Sequence, residues 1–203
     1  MRLRSLLIGL GLVAASITAS TAPAGTFKDS AQSCSSQVLE QPFKRWLDPA
    51  KYFLAPGGSF EDSAPGWQLN GASIVDGNEP FAVRSAKDSS SLAIPNGASA
   101  TTPAMCATLL HPDMRFFVRN KGSLIGLLRV DVLVDTPLGV VTLPVGVVPA
   151  GQAWTPTLPM PFLANALALS GKNGETAVAF RFTSMLGGSF QIDDVYVDPY
   201  RSA

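Results

Sequence analysis

The sequence predicts an all-β domain, a sandwich or a barrel, in a protein that leaves the cell. Three observations lead there. Short apolar segments recur with a period of two and are separated by Gly, Asn and Pro turn clusters. Sixteen prolines are spread along the chain, which strand edges and loops tolerate and helix interiors do not. Helical periodicity is confined to a turn's worth of residues near Pro42–Trp46 and Pro161–Asn165.

The chain opens with Arg2 and Arg4, then an apolar run from Leu6 to Ala15, then small residues ending Ala22-Pro23-Ala24. That order is the pattern of a secretory signal peptide over residues 1–24, with cleavage expected after Ala24 or after Ala22. The apolar run is shorter than the ~20 residues that span a bilayer comfortably. Left uncleaved, the same segment would be the protein's one membrane contact.

Residues 25–54 read as an N-terminal extension. Phe43, Trp46, Tyr52 and Phe53 make it too aromatic for a solvated linker, so it should lie over the domain with Trp46 and Phe53 buried. The two cysteines, Cys34 and Cys106, form an even pair, and in an oxidising compartment they should be disulfide-bonded. A loop of that length is worth ~4 kcal/mol in the chain-entropy model. A redox or metal pair would need much closer spacing.

The strands of residues 55–200 follow in order. Met114–Arg119 ends at the turn cluster Asn120-Lys121-Gly122-Ser123. Leu128, Val130, Val132 and Val134 alternate with Arg129 and Asp131, which places the aliphatics on one inward face. Val140–Leu143 and Val145–Val148 read as two strands split by Pro144. Val178, Phe180 and Phe182 share a face, and Phe190–Val197 closes the domain. In that last strand Phe190 and Ile192 fall on one face and Val195 and Val197 on the other. A bulge at Asp193-Asp194 would bring both pairs to the core.

Whole-chain formal charge is zero, and loss of Arg2 and Arg4 with the leader turns the remainder slightly acidic. Without a basic stripe, nucleic acid is a poor partner, and neither a polyanionic glycan nor an anionic membrane is a target for charge alone. The single histidine, His111, precedes Pro112 in a loop, and no Gly-x-Ser-x-Gly elbow occurs. The acids are scattered rather than paired as glycosidase chemistry requires. These features argue against an enzyme.

Three motifs carry a family resemblance: Gly57-Gly58-Ser59-Phe60-Glu61 through Gly66-Trp67, then Gly151-Gln152-Ala153-Trp154-Thr155, then Phe190-Gln191-Ile192-Asp193-Asp194-Val195. Together they resemble the jelly-roll carbohydrate-binding modules of the galactose-binding-like superfamily, above all the calcium-containing xylan- and glucan-binding ones. The chain also resembles small secreted proteins of actinobacteria. The resemblance implies a jelly-roll β-sandwich with Phe60-Glu61 on its first strand, and with Trp67 and Trp154 as buried framework residues. It implies a structural calcium held by Glu61 and by Asp193 or Asp194. It implies a carbohydrate or other cell-surface ligand; the alternative is a structural or protein-interaction component of the envelope with no small ligand. The polar candidates for a ligand surface are Arg115, Arg119, Arg129 and Asp131. An exposed aromatic strip there would favour the sugar ligand, and an aliphatic or purely polar face the alternative.

Overall fold

A computed structural model describes residues 34–108, 113–136, 138–162 and 175–199. The expected leader, His111 and residues 163–174, including most of the turn expected at Pro161–Asn165, lie outside the described residues.

The strands are β1 (Phe53–Leu54), β2 (Gln68–Asn70), β3 (Ser73–Asp76), β4 (Ser90–Ile94), β5 (Ser99–Thr101), β6 (Met105–Thr108) and β7 (Asp113–Asn120). They continue as β8 (Leu127–Thr136), β9 (Gly139–Val148), β10 (Thr155–Pro156), β11 (Met160–Pro161), β12 (Glu175–Met185) and β13 (Phe190–Val197). They form two antiparallel sheets. The first runs β10-β7-β13-β4-β3, with β1 on β13 and β11 on β7. The second runs β2-β5-β12-β8-β9, with β6 on β12. The fold is the expected β-sandwich.

The period-two residues meet between the sheets. Leu128, Val130, Val132, Val134, Val178, Phe180 and Phe182 from the second sheet face Met114, Phe116, Val118, Phe190 and Ile192 from the first, all of them buried. Each large side chain so buried stabilises the fold by roughly 1.5–3 kcal/mol. Trp67 belongs to this core. Its ring packs edge-on against Phe60, with centroids 4.9 Å apart, and stacks on Phe182 at 6.1 Å. Its indole N–H donates to the Pro56 carbonyl at 2.9 Å.

The bulge expected in the closing strand is present. The β13–β7 register shifts between Asp193 and Tyr196, and Asp194 takes φ +47. Val195 and Val197 thereby rejoin Phe190 and Ile192 in the core.

Two elements differ from expectation. Pro144 does not split a strand. It sits inside β9, an edge strand, where Asp131 pairs with Pro144 and Val130 with Gly146. One extra residue, Val145, bulges there, and an edge strand can absorb a proline's missing donor. Gly57–Phe60 is a turn rather than a strand, with Phe60 at φ +61. It still abuts the closing strand: Ala55 N–H donates to Val195 O, and Val195 N–H donates to Gly58 O. A Cβ on Gly58 would lie 2.9 Å from Ala55 O, so glycine is required for that approach.

The described part of the N-terminal extension, from Cys34 on, is fixed at both ends. Cys34 and Cys106 are disulfide-bonded with Cα atoms 5.1 Å apart, as expected. Farther on, a bridge pairs Glu40 with Tyr52, and a 3-10 turn at Lys44–Trp46 lays Phe43 onto the outer face of the first sheet. A second aromatic cluster forms there from Phe43, Tyr52, Phe117, Trp154 and Tyr196, with Trp46 and Phe81 packed against it. Phe53 is buried as expected, whereas Trp46 is only half-buried.

Candidate functional site

The outer face of the first sheet is covered over β7 and β13. Arg115, on β7, points into the aromatic cluster. Its guanidinium lies 4.1 Å from the Phe43 ring centroid, ion-pairs with Asp48, and donates through Nε and Nη2 to Thr157 O at 2.9 and 2.6 Å. Arg119, on the same strand, lies over the Trp154 ring and donates to Gln191 Oε1 at 2.6 Å. Both arginines are structural here. They do not share a surface with Arg129 and Asp131, contrary to the grouping made from sequence. That grouping failed because β7 and β8 lie in different sheets.

Asp48 and Asp113 show what sealing does to charge. Burial would raise Asp48, but hydrogen bonds from Tyr52 Oη and the Ala50 N–H, together with Arg115, hold it below its ordinary value. Burial, reinforced by Asp198 and Asp48, pushes Asp113 up to about 6.

The second sheet's outer face is open. Residues directly paired across a sheet point to the same side, so the register defines two rows. One row is Gln68–Thr101–Arg181–Asp131–Pro144, and the other is Asn70–Ser99–Thr183–Arg129–Val147. Asp131 is 2 % exposed although it faces outward, because two arginines cover it. Arg129 donates to its Oδ1 through Nε at 2.9 Å and approaches the same oxygen with Nη2 at 2.8 Å. Arg181 Nη2 lies 3.7 Å from its Oδ2. The carboxylate thus braces two partly exposed guanidiniums whose remaining N–H groups face solvent. The rest of the face is hydroxyl, amide and aliphatic, with the carboxylates of Asp135 and Glu175 toward one end, and among the described residues it carries no aromatic ring.

The carboxylates expected to hold a metal lie elsewhere. Asp193 Oδ2 accepts the Glu79 N–H at 3.0 Å, and its Oδ1 accepts the Asp194 N–H at 2.8 Å. Glu79 is itself buried and accepts the Phe81 and Val83 N–H groups. Glu61 Oε1 accepts the Ser89 and Ser90 N–H groups at 2.9 and 2.7 Å. The Asp194 carboxylate is buried with no hydrogen-bond donor among the described residues. Burial raises the pKa of both aspartates. Asp194 adds to the rise at Asp193, and Glu79 and Asp88 add to it at Asp194, against the opposing charge of Arg84.

Oxygens of Glu61, Asp193 and Asp194 do not all come within 4.8 Å of one another. Among the described residues the one set that does is Cys34, Cys106 and Glu175, and both sulfurs there are in the disulfide. Glu79 was not visible from sequence. It sits alone in a turn-rich stretch, and nothing local signals that the chain will bury it against Asp193.

No protein-family model and no curated protein matches the chain. Several solved structures are similar to it. The enzymatically active domain of tailspike protein 4 of bacteriophage CBA120 aligns with a TM-score of 0.49 and 14 % identity, over 71 % of this chain and 21 % of that one. The CBM22-1–CBM22-2 tandem domain of Xyn10C from Paenibacillus barcinonensis aligns at 0.49 and 13 %, over 76 % of this chain and 46 % of that one. The xylan-binding domain from CBM 22 aligns at 0.45 and 14 %, over 77 % of this chain and 99 % of that one. This chain therefore spans well under two thirds of the first two. At such identities and scores no residue role is carried across.

Proposed function

We propose that this chain is a non-catalytic extracellular β-sandwich module that binds a carbohydrate, or another hydroxyl-rich ligand of the cell surface, on the outer face of its second sheet. One observation carries the reading. The extension covers the first sheet over β7 and β13, and the open face of the second presents Arg129 and Arg181 on buried Asp131 among Gln68, Asn70 and Thr101. The Arg129 guanidinium, held on Asp131, donates to sugar oxygens at reduced entropic cost, Arg181 adds a second donor, and neighbouring amides and hydroxyls serve as donors or acceptors. Asp131 is committed to its arginines, which supports binding rather than acid–base chemistry. The leader and the disulfide support action outside the cell.

Affinity electrophoresis against soluble polysaccharides, xylan first, tests this. Wild type should be retarded by at least one polysaccharide, and Arg181→Ala should migrate freely while melting as wild type does. No retardation by any polysaccharide, or retardation that Arg181→Ala leaves intact, would overturn it. The exposed Val140 and Val147, and the lack of rings on the face, favour the second reading, an envelope component that docks another protein.

A structural calcium also belongs to the proposal. Its support is the buried, donor-less Asp194 carboxylate, with Glu61 and Asp193 as further oxygen donors. Side-chain rotation would be needed to bring all three into one shell. Calcium should raise the melting temperature relative to excess chelator. Identical melting in the two conditions would remove the metal.

A further inference from the structure

Where β7 ends, three aliphatic side chains stand in solvent on two loops packed backbone to backbone. Leu124 and Ile125, between β7 and β8, are 87 % and 73 % exposed, and Leu186, between β12 and β13, is 58 % exposed. The loops are tied together. Ser123 N–H donates to Gly187 O at 2.9 Å and Lys121 N–H to Ser189 O at 2.8 Å. Asn120 Oδ1 accepts the N–H groups of Gly122 and Ser189, and Asn96 Oδ1 accepts that of Gly187. A Cβ on Gly122 would lie 2.4 Å from Ser189 N, so the two backbones touch. These side chains are therefore held outward by a braced tip.

Leu186 adds an independent observation. It sits at φ +56 beside Gly187 at φ +75, in a tight turn closed by Gly188 N–H to Met185 O at 3.0 Å. Asn-Gly suits such a turn, whereas a leucine there is strained and, exposed as it is, contributes little to the core. Neither turn geometry nor packing asks for an aliphatic at this position. The charge pattern gives a third observation. Across 95–97, 121–126 and 186–189 the single charged residue is Lys121, and no carboxylate is present.

We infer that this tip contacts a phospholipid bilayer, with Leu124, Ile125 and Leu186 entering the acyl boundary and Lys121 staying among the headgroup phosphates. Solvent-facing aliphatics need no complementary pocket in a bilayer, and aliphatic insertion, with one cation at headgroup depth, is the chemistry of interfacial anchoring. Without Arg2 and Arg4 the chain is slightly acidic, so apolar burial is the driving force and an anionic surface potential adds no net attraction.

The test uses the chain without residues 1–24, as secretion would leave it, with vesicles of phosphatidylcholine and phosphatidylglycerol. An Ile125→Trp variant should show indole emission quenched by brominated lipids beyond the wild-type background, which reports depth at this residue. Leu186→Asn should melt no lower than wild type, because asparagine accepts positive φ, yet bind vesicles about tenfold more weakly. Absence of quenching, or unchanged vesicle binding by Leu186→Asn, would overturn the inference. A lowered melting temperature of Leu186→Asn would make Leu186 structural and also overturn it. Wild-type self-association that Leu124→Ser abolishes without lipid would assign the tip to a second copy instead.

Discussion

The two outer faces of the sandwich begin from the same kind of strand and end differently. On β7 the outward residues Arg115 and Phe117 are roofed by the extension while Arg119 lies over Trp154, and Arg115 is 4 % exposed. On β8 the outward residues Arg129, Asp131 and Leu133 meet no such roof, and Arg129 stays half-exposed. An arginine on an alternating strand is thus a structural clamp or a surface donor according to what crosses above it. Under the roof it is held by a carboxylate, a carbonyl and a ring together. In the open it shares one carboxylate with a second arginine.

Mutations that act on one face and spare the other sharpen this contrast. The largest effect is expected beneath the open face. Val130→Asp puts an unpaired charge at a fully buried position and should cost more than about 4 kcal/mol, abolishing cooperative melting. Wild-type melting of that variant would show that β8 is not the inner strand assigned here. On the roofed face, Phe43→Ala removes the ring that meets Tyr52, Phe117 and Tyr196 and should cost about 3–5 kcal/mol in denaturant unfolding. A cost below about 1 kcal/mol would reduce the extension to decoration and erase the difference between the faces.

Asp113 gives a smaller, pH-dependent effect. Its pKa rises to about 6 in the folded state, from ~3.9 in an unfolded chain. The folded protein therefore binds the proton more tightly, and stability falls as pH rises from about 4 to 6. Above that window the ionised carboxylate opposes folding. Asp113→Asn should melt above wild type at neutral pH and together with it below about pH 4. Parallel melting curves across pH would contradict the assignment. The smallest change in stability is expected at Arg181→Ala, within about 0.5 kcal/mol, since its side chain's one ion pair among the described residues is long and on an exposed face. A loss above about 2 kcal/mol would make the Arg129–Asp131–Arg181 group a brace of the sheet rather than a binding surface.

The inward half of the fold was legible because strand alternation is a local signal. Val130, Phe180 and Ile192 announce their side of the sheet within two residues, and the mismatch between Ile192 and Val195 announces the bulge. The candidate site was legible only in pieces. Glu61, Asp193 and Asp194 stood out through their motifs, while Glu79 meets Asp193 across 114 residues of chain, a contact no local pattern encodes.

By itself the sequence determined the β-sandwich class, the core faces of β8, β12 and β13 and the pairing of its two cysteines, since periodicity and a forced pair need no knowledge of the fold's path. Tertiary structure alone decided that Pro144 is carried on an edge, that Gly57–Phe60 turns, and that Arg115 is sealed while Arg181 is open. The outward side of a strand has no pattern of its own. Its fate depends on where a distant segment is laid down, and in this chain that is set by the disulfide at Cys34 and the ring of Phe43.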